Sequence, residues 1–298
     1  MTTRDAEPRM WRFAHDAMAC TFELLLVHDQ REYARQAAAA AFEEIDRLER
    51  ELSRFVPDSD VSQINALRAG QTLRVGVDTA NCLRLAIEMH ALTGGAFDVT
   101  VRHAPDADPS DRSAPRGAMS LAIDATEPVV CAPAAGVRVD LGGIGKGYAV
   151  DRVRELLAEW GISSGVIHAG QSSALAFGTD PRGAEWSVLL RDPQRPETAL
   201  GRVALRDRSL SGSGQALHGD HIIDPRSGAP AAARPAAWAL APSAAVSDAL
   251  STALMILSRS EIETLCARRP DVGAVLLENA GGAEPVVALG AACVEPAG

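Results

Sequence analysis

The chain alternates between two hydrophobic periods. From Thr21 to Val27 it is apolar and β-compatible, whereas from Glu32 to Phe55 apolar residues, including Phe42, Ile45, Leu48 and Leu52, recur at helical spacing. A strand followed by a long helix is expected. Asp78 to Leu92 reads as a second helix, opened by an acidic residue and closed by Gly94 and Gly95, which suit a left-handed cap. Phe97 to Val101 then reads as extended, and the Asp-, Pro-, Arg- and Ser-rich stretch from His103 to Gly117 as a mobile surface loop with no face to bury. Short β-like runs at Met119–Ile123 and Val137–Leu141 lead into a glycine-rich turn and a helix from about Tyr148 to Trp160. Further strands are expected at Gly165–Gly178, Trp186–Arg191, Gly201–Leu210, Ala237–Leu240, Val272–Leu277 and Pro285–Leu289, with a strongly apolar helix at Ala244–Leu257. No fixed short repeat interrupts this mixed α and β order, which argues against a solenoid or propeller.

Composition narrows the class. An apolar share of 47% and a charged share of 23% over 298 residues sit near globular averages and allow a full core. A net charge of -10 argues against a nucleic-acid partner, which requires a concentrated basic surface. An anionic cofactor stays possible if backbone amides and a local cation receive it. Five scattered cysteines form neither a zinc pattern nor a disulfide frame, so reduced thiols are the default. The first residues lack the apolar segment of a secretory signal, and no apolar run of about eighteen residues exists. The expectation is a cytoplasmic protein without membrane insertion.

Three segments carry candidate chemistry. In Val139–Asp151 (VDLGGIGKGYAVD), Gly142, Gly143, Gly145 and Gly147 precede a helix, so backbone amides, the helix dipole and Lys146 could together receive a phosphate. The spacing matches neither a P-loop nor G-x-G-x-x-G, and a tight turn that needs glycine only for its backbone is the other reading. In Val246–Leu257 (VSDALSTALMIL), Asp248 and Thr252 stand four apart on one helical face and offer the hard oxygens magnesium favours. The alternative is an Asp complementing the helix dipole and a Thr bonding the preceding turn. In Asp220–Pro230 (DHIIDPRSGAP), a Pro and Gly turn could hold His221 and Asp224 at fixed geometry, making His221 the best acid/base candidate, although a histidine in an ordinary hairpin is commoner. Phe55 could stack on a flat cofactor or simply pack in the core. Gln171, Ser172 and Ser173 could bond a ligand or line a solvated turn.

Taken together and in order, these pieces resemble the FAD:protein FMN transferase family, also called the ApbE family. The resemblance runs from AMACTFELLL at Ala17 through SRFVPDSDVSQIN, LTGGAFDVTV, VDLGGIGKGYAVD, SLSGSG and HIIDPRSGAP to SDALSTALMIL, ending at Leu257. It implies an α+β fold of mixed, mostly antiparallel sheets with packed helices, T-fold-like, with a cleft for FAD. Residues 1–298 would form one catalytic unit, or two intimately packed subdomains. The implied reaction is magnesium-dependent transfer of FMN from FAD to a Ser or Thr hydroxyl of an acceptor flavoprotein, with release of AMP. Carried onto this sequence, the resemblance makes Asp248 and Thr252 side-chain ligands of Mg2+, with the Gly143 carbonyl as a third. Lys146 would steady the pyrophosphate and His221 would deprotonate the acceptor hydroxyl. Met18, Phe55, Asp98 and Ser211 match positions lining the cofactor cleft, and Gly142, Gln171, Ser172 and Asp224 are further expected contacts to FAD.

The sequence departs from the family pattern in three places: Met18-Ala19-Cys20 stands for Met-Gly-Thr, Gly170-Gln171-Ser172-Ser173 for a Gly-Gly-Asn or Gly-Gly-Asp segment, and the stretch after Asp98 is Asp- and Pro-rich rather than aromatic. Two other activities fit the same motifs: an FAD pyrophosphatase, with water replacing the acceptor, and a protein that holds FAD without turnover.

Overall fold

The computed structural model describes residues 9–100, 121–133, 138–214, 222–231, 234–278 and 286–296. The expected loop at 103–117 lies outside these residues, as does His221.

Strands β1 (Arg9–Ala17) and β2 (Cys20–His28) form a hairpin closed by Met18 and Ala19, both left-handed at φ 50° and 57°. A two-residue turn of this hand matches the twist of its strands. On β2, Phe22, Leu24 and Leu26 are fully buried on one face, while Leu25 and Val27 pack into a second cluster on the other. Apolar residues on both faces mark a strand with cover on each side.

Helix α1 (Arg31–Leu52) lays an alanine-rich stripe, Ala34, Ala37, Ala38 and Ala41, then Ile45, Leu48 and Leu52, into the core. Small side chains let it approach the sheet closely. Then come α2 (Asp60–Asn65), β3 (Thr72–Arg74), α3 (Val77–Leu92), β4 (Ala122–Ile123) and β5 (Val129–Cys131), the three strands forming a small antiparallel sheet. Helix α4 (Gly145–Glu159) precedes β6 (Gly165–Ala169), β7 (Ser173–Phe177), β8 (Trp186–Asp192), β9 (Arg195–Leu205), β10 (Arg208–Gly214) and β11 (Ala236–Ala241). Helices α5 (Ala244–Leu254) and α6 (Arg259–Arg268), then β12 (Gly273–Leu277) and β13 (Val286–Gly290), complete the order.

The main sheet runs β1-β2-β6-β7-β10-β11-β12-β13, antiparallel at each pairing. The helices cover one face and the β8–β9 ribbon contributes Trp186, Leu190, Val203 and Leu205 to the core on the other. This is the expected α+β arrangement of mostly antiparallel sheets. No helix among the described residues is long and apolar enough to cross a membrane.

Several expected elements differ. Gly165–Gly178 is two strands with a turn at Gly170, φ 59°, and Gly201–Leu210 is split between β9 and β10 at Asp207, φ 50°. Polar residues mark both turns, Gln171–Ser172 and Arg206–Asp207, but each break is only two or three residues long between apolar runs. Val139, expected within a strand, instead donates to Asn65 Oδ1 at 2.6 Å and accepts from Asn65 Nδ2 at 3.0 Å, a side-chain amide taking the place of a neighbouring strand. Phe97–Thr100 is likewise not a strand: Phe97 N bonds Thr93 Oγ1 and Thr100 N bonds Asp98 Oδ1, local contacts that compete with a ladder. Five elements, β1, α2, β3, β5 and α6, were not expected from the pattern. Helix α4 also starts at Gly145, so two of the glycines lie inside its first turn.

Helices α4 and α5 meet at their N-termini. A Cβ on Gly147 would lie 2.2 Å from Ala244 O and 2.7 Å from Ala245 Cα, so only glycine fits against this backbone. One turn further along α4, Asp151 accepts from Ala244 N at 2.7 Å, Ala245 N at 2.9 Å and Ser243 Oγ at 2.6 Å, capping α5 from outside. Burial raises the Asp151 carboxyl above its usual range despite these three opposing bonds.

Two outcomes follow for stability. Gly147→Ala should force the helices apart and lower the melting temperature by roughly 5 °C or more, read by calorimetry. Asp151→Ala should cost roughly 2–4 kcal/mol by stranding buried N–H donors, with Asp151→Asn intermediate because it keeps one acceptor, read by urea unfolding.

Candidate active site

A cleft of about 950 Å³ opens at the end of the main sheet where the β1–β2 turn, the β6–β7 turn and the close of β10 lie side by side. Its walls combine those strand ends with the glycine bend before α4, one face of α5, the segment Ala96–Val99, and Ile222, Ile223 and Pro225. Met18, Asp98, Gly142, Gly143, Lys146, Gln171, Ser172, Asp248 and Thr252 all line it. Segments read separately along the chain therefore face one space.

The geometry at the bend is tight. A Cβ on Gly143 would lie 3.3 Å from Phe97 Cε2 and 3.4 Å from Thr252 Oγ1, so glycine lets the bend close against α5. Asp248, only 4% exposed, accepts from Gly147 N at 3.1 Å through one oxygen. That bond fixes its carboxylate relative to the start of α4. The N-terminus of α4 has no side-chain cap, and Lys146 Nζ donates to Gly142 O at 3.3 Å beside it. Asp140 Oδ1 accepts from Gly142 N at 2.8 Å and Oδ2 pairs with Arg54 Nε at 3.0 Å, bracing the bend from behind.

Asp98 holds Thr100 through Oδ1, while its buried Oδ2 has no hydrogen-bond partner among the described residues and lies 3.6 Å from His90 Nδ1. A buried carboxylate oxygen left without a donor is costly and suits a group that meets a ligand. Cys20 also lines the cleft. Burial raises its thiol, Lys146 pulls it down and Asp248 adds to the rise, which favours the protonated form.

Three expected contacts lie elsewhere. Phe55 is 78% exposed and outside the lining, with the Arg54 guanidinium 4.3 Å over its ring. Ser211 is fully buried under the floor, bonded to Ser247 Oγ at 2.8 Å, because it points to the α5 side of β10. Asp224 turns away to bond Arg226, its neighbour in the hairpin; partial burial would raise its carboxyl, but the Arg226 bonds outweigh that and hold it low. Conversely, Glu23, Asp140, Gly212, Ser213 and Ile256 line the cleft without having been singled out, although all five stood within the motifs that carried the family resemblance.

The lining side chains include four carboxylates, Glu23, Asp98, Asp140 and Asp248, and one ammonium, Lys146. Two of the carboxylates are already matched, Glu23 by Arg12 and Asp140 by Arg54, so the local field comes chiefly from Asp98, Asp248 and Lys146, and a further cation would favour an entering anion. Among the described residues no group of three or more His, Cys, Asp or Glu side chains could hold a metal by themselves. Asp248 and Thr252 nonetheless offer hard oxygens beside the Gly143 bend, the sparse donor set that magnesium completes with water and phosphate.

The profile of the ApbE family matches residues 18–276. An FAD:protein FMN transferase of Vibrio cholerae is 28% identical over 244 residues, 72% of each chain. That of Haemophilus influenzae is 27% identical over 243 residues, 70% of this chain and 69% of its own. Among solved structures, the flavin transferase ApbE of Vibrio cholerae superposes with a TM-score of 0.80 at 20% identity, covering 94% of this chain and 96% of that one. The apo flavinyl transferase ApbE of Pseudomonas stutzeri gives 0.76 at 24% identity and 94% coverage of each. These structural likenesses speak for the fold, and the profile match over most of the sequence establishes that the chain belongs to the ApbE family.

Proposed function

We propose that this chain is an FAD:protein FMN transferase that works with magnesium, moving FMN from FAD to a Ser or Thr hydroxyl of an acceptor flavoprotein and releasing AMP. The relatives that carry this activity in their names support the transferase class. The observation that carries the reading furthest is local: Asp248 and Thr252, one helical turn apart on α5, share a cleft with Gly143 and Lys146 at the uncapped start of α4. The start of α4, a lysine and two hard-oxygen ligands around one space suit a diphosphate and its counter-cation.

Asp248, Thr252 and the Gly143 carbonyl would hold the ion. When bound, magnesium supplies stabilisation of the charge gathering on the phosphoryl oxygens. Lys146 adds a second positive charge at the diphosphate, and the dipole of α4 at whose start it stands favours the same anion. Apolar walls from Met18, Phe97, Ile222 and Ile256 exclude water, strengthening these interactions. His221, adjoining the cleft-lining Ile222 in sequence, takes the proton from the acceptor hydroxyl. Its oxygen then bonds the FMN phosphorus as the bond to the AMP oxygen breaks. Acceptor binding in place of water separates transfer from FAD hydrolysis.

With FAD, magnesium and an acceptor protein, mass spectrometry should find AMP and an FMN adduct in equal amounts, and a chelator should stop both. Accumulation of free FMN at the same rate without any acceptor would instead make the protein a pyrophosphatase, and bound FAD with no AMP a passive carrier. Asp248→Ala should reduce turnover by at least about 100-fold while circular dichroism stays native, since it removes a charge-stabilising ligand rather than core volume. His221→Ala should lower kcat by roughly 100-fold or more with little change in FAD affinity. Equal losses in both quantities would make His221 a binding residue.

A further inference from the structure

Two walls of the cleft, Ala96–Val99 and the hairpin at Ile222–Ala231, are loops rather than strands or helices of the main fold. The hairpin closes on itself through Ala231 N to Ile222 O at 2.8 Å and Asp224 N to Ala229 O at 2.8 Å. Neither bond ties it to the rest of the protein. Behind both walls, outside the lining, sits Arg226.

Its guanidinium bonds in two directions. Nε donates to Asp224 Oδ1 at 3.0 Å and Nη2 to Asp224 Oδ2 at 3.3 Å, within the hairpin. Nη1 donates to Glu261 Oε1 at 2.8 Å on α6. Glu261 is itself fixed, since its Oε2 accepts from Ser258 N and Ser258 Oγ, both at 2.7 Å, in the capping box that starts α6. The aliphatic part of Arg226 lies against the other wall: its Cγ would be 3.7 Å from a Cβ on Gly95, a left-handed residue at φ +83° that leads into Ala96, Phe97 and Asp98. On the same side of Gly95 lies the His90 ring, whose Nδ1 is 3.0 Å from Phe97 O.

We propose that Arg226 is a positioning residue for FAD: one guanidinium, anchored on the α6 cap, sets the spacing between the two loop walls of the cleft. The inference rests on the FAD reading above and adds a residue to it. Among the described residues the Arg226 guanidinium bonds Asp224 and Glu261, not the bend at Gly143 or the helices that carry Lys146, Asp248 and Thr252. Its loss should therefore loosen the grip on the body of FAD while the groups at the diphosphate keep their arrangement. The planar fork is what allows two carboxylates to be held at once; a lysine could serve only one of them well.

The test uses the full chain with FAD, magnesium and an acceptor. Arg226→Met should raise the KM for FAD about tenfold or more and leave kcat within about threefold, because loosened walls misplace the substrate before chemistry rather than during it. Equilibrium FAD binding, followed by flavin fluorescence without acceptor, should weaken by the same factor. Arg226→Lys should recover part of the affinity. Glu261→Gln should weaken binding in the same direction by less, and Arg226→Met combined with Glu261→Gln should be no worse than Arg226→Met alone, since both break one connection. If Arg226→Met proves unstable, the exposed Glu261→Gln carries the test. An FAD KM unchanged within about twofold in both single variants, or fully additive losses in the double variant, overturns the proposal. Failure of the unaltered protein to bind FAD or form an adduct would overturn the transferase reading instead.

Discussion

The site exists because two helices are pressed together at their starts. Gly147 removes the side chain that would hold α4 off α5, and Asp151 replaces the water that would otherwise satisfy the first amides of α5. The same contact delivers Asp248 to Gly147 N, so the carboxylate is oriented by the backbone of the helix it faces. That bond engages one carboxylate oxygen and leaves the other to meet a ligand. Every functional distance at the bend inherits its value from that junction.

Around this rigid junction the cleft is built from less regular parts. The sheet contributes turns rather than strand faces, and loops close the sides. Such a division places strong electrostatics on well-packed helices and leaves recognition to segments that vary easily. Ala19 and Cys20 occupy a hairpin tip and Gln171 and Ser172 a strand turn, whereas Asp248, Thr252 and Lys146 stand on helices.

Much of this was legible in the residues. The long helix ending near Leu52, the glycine caps at Gly94 and Gly95, and the one-turn spacing of Asp248 and Thr252 are local properties, and local periodicity reads them. Those that escaped depend on distant partners. Val139 looks like a strand residue and lacks only a strand beside it, because Asn65 supplies the pairing. Ser211 and Asp224 belong to cofactor motifs, yet one bonds a serine of α5 and the other an arginine two residues on. Motif membership named the neighbourhood of the site correctly but could not say which side of each strand or turn faces inward. Asp151 offered no sign of its task, since an aspartate in mid-helix is usually solvated and nothing marks the helix start it serves.

The partners that assemble the cleft are far apart along the chain. Gly147 and Asp248 are 101 residues apart, Asp151 and Ala244 are 93 apart, and Asn65 and Val139 are 74 apart. Closing loops of that size costs entropy that only the completed core returns. A nascent chain on the ribosome that has not yet released α5 therefore holds a glycine bend with nothing opposite it, and the groups that meet at the junction come together only after α5 has followed α4 out.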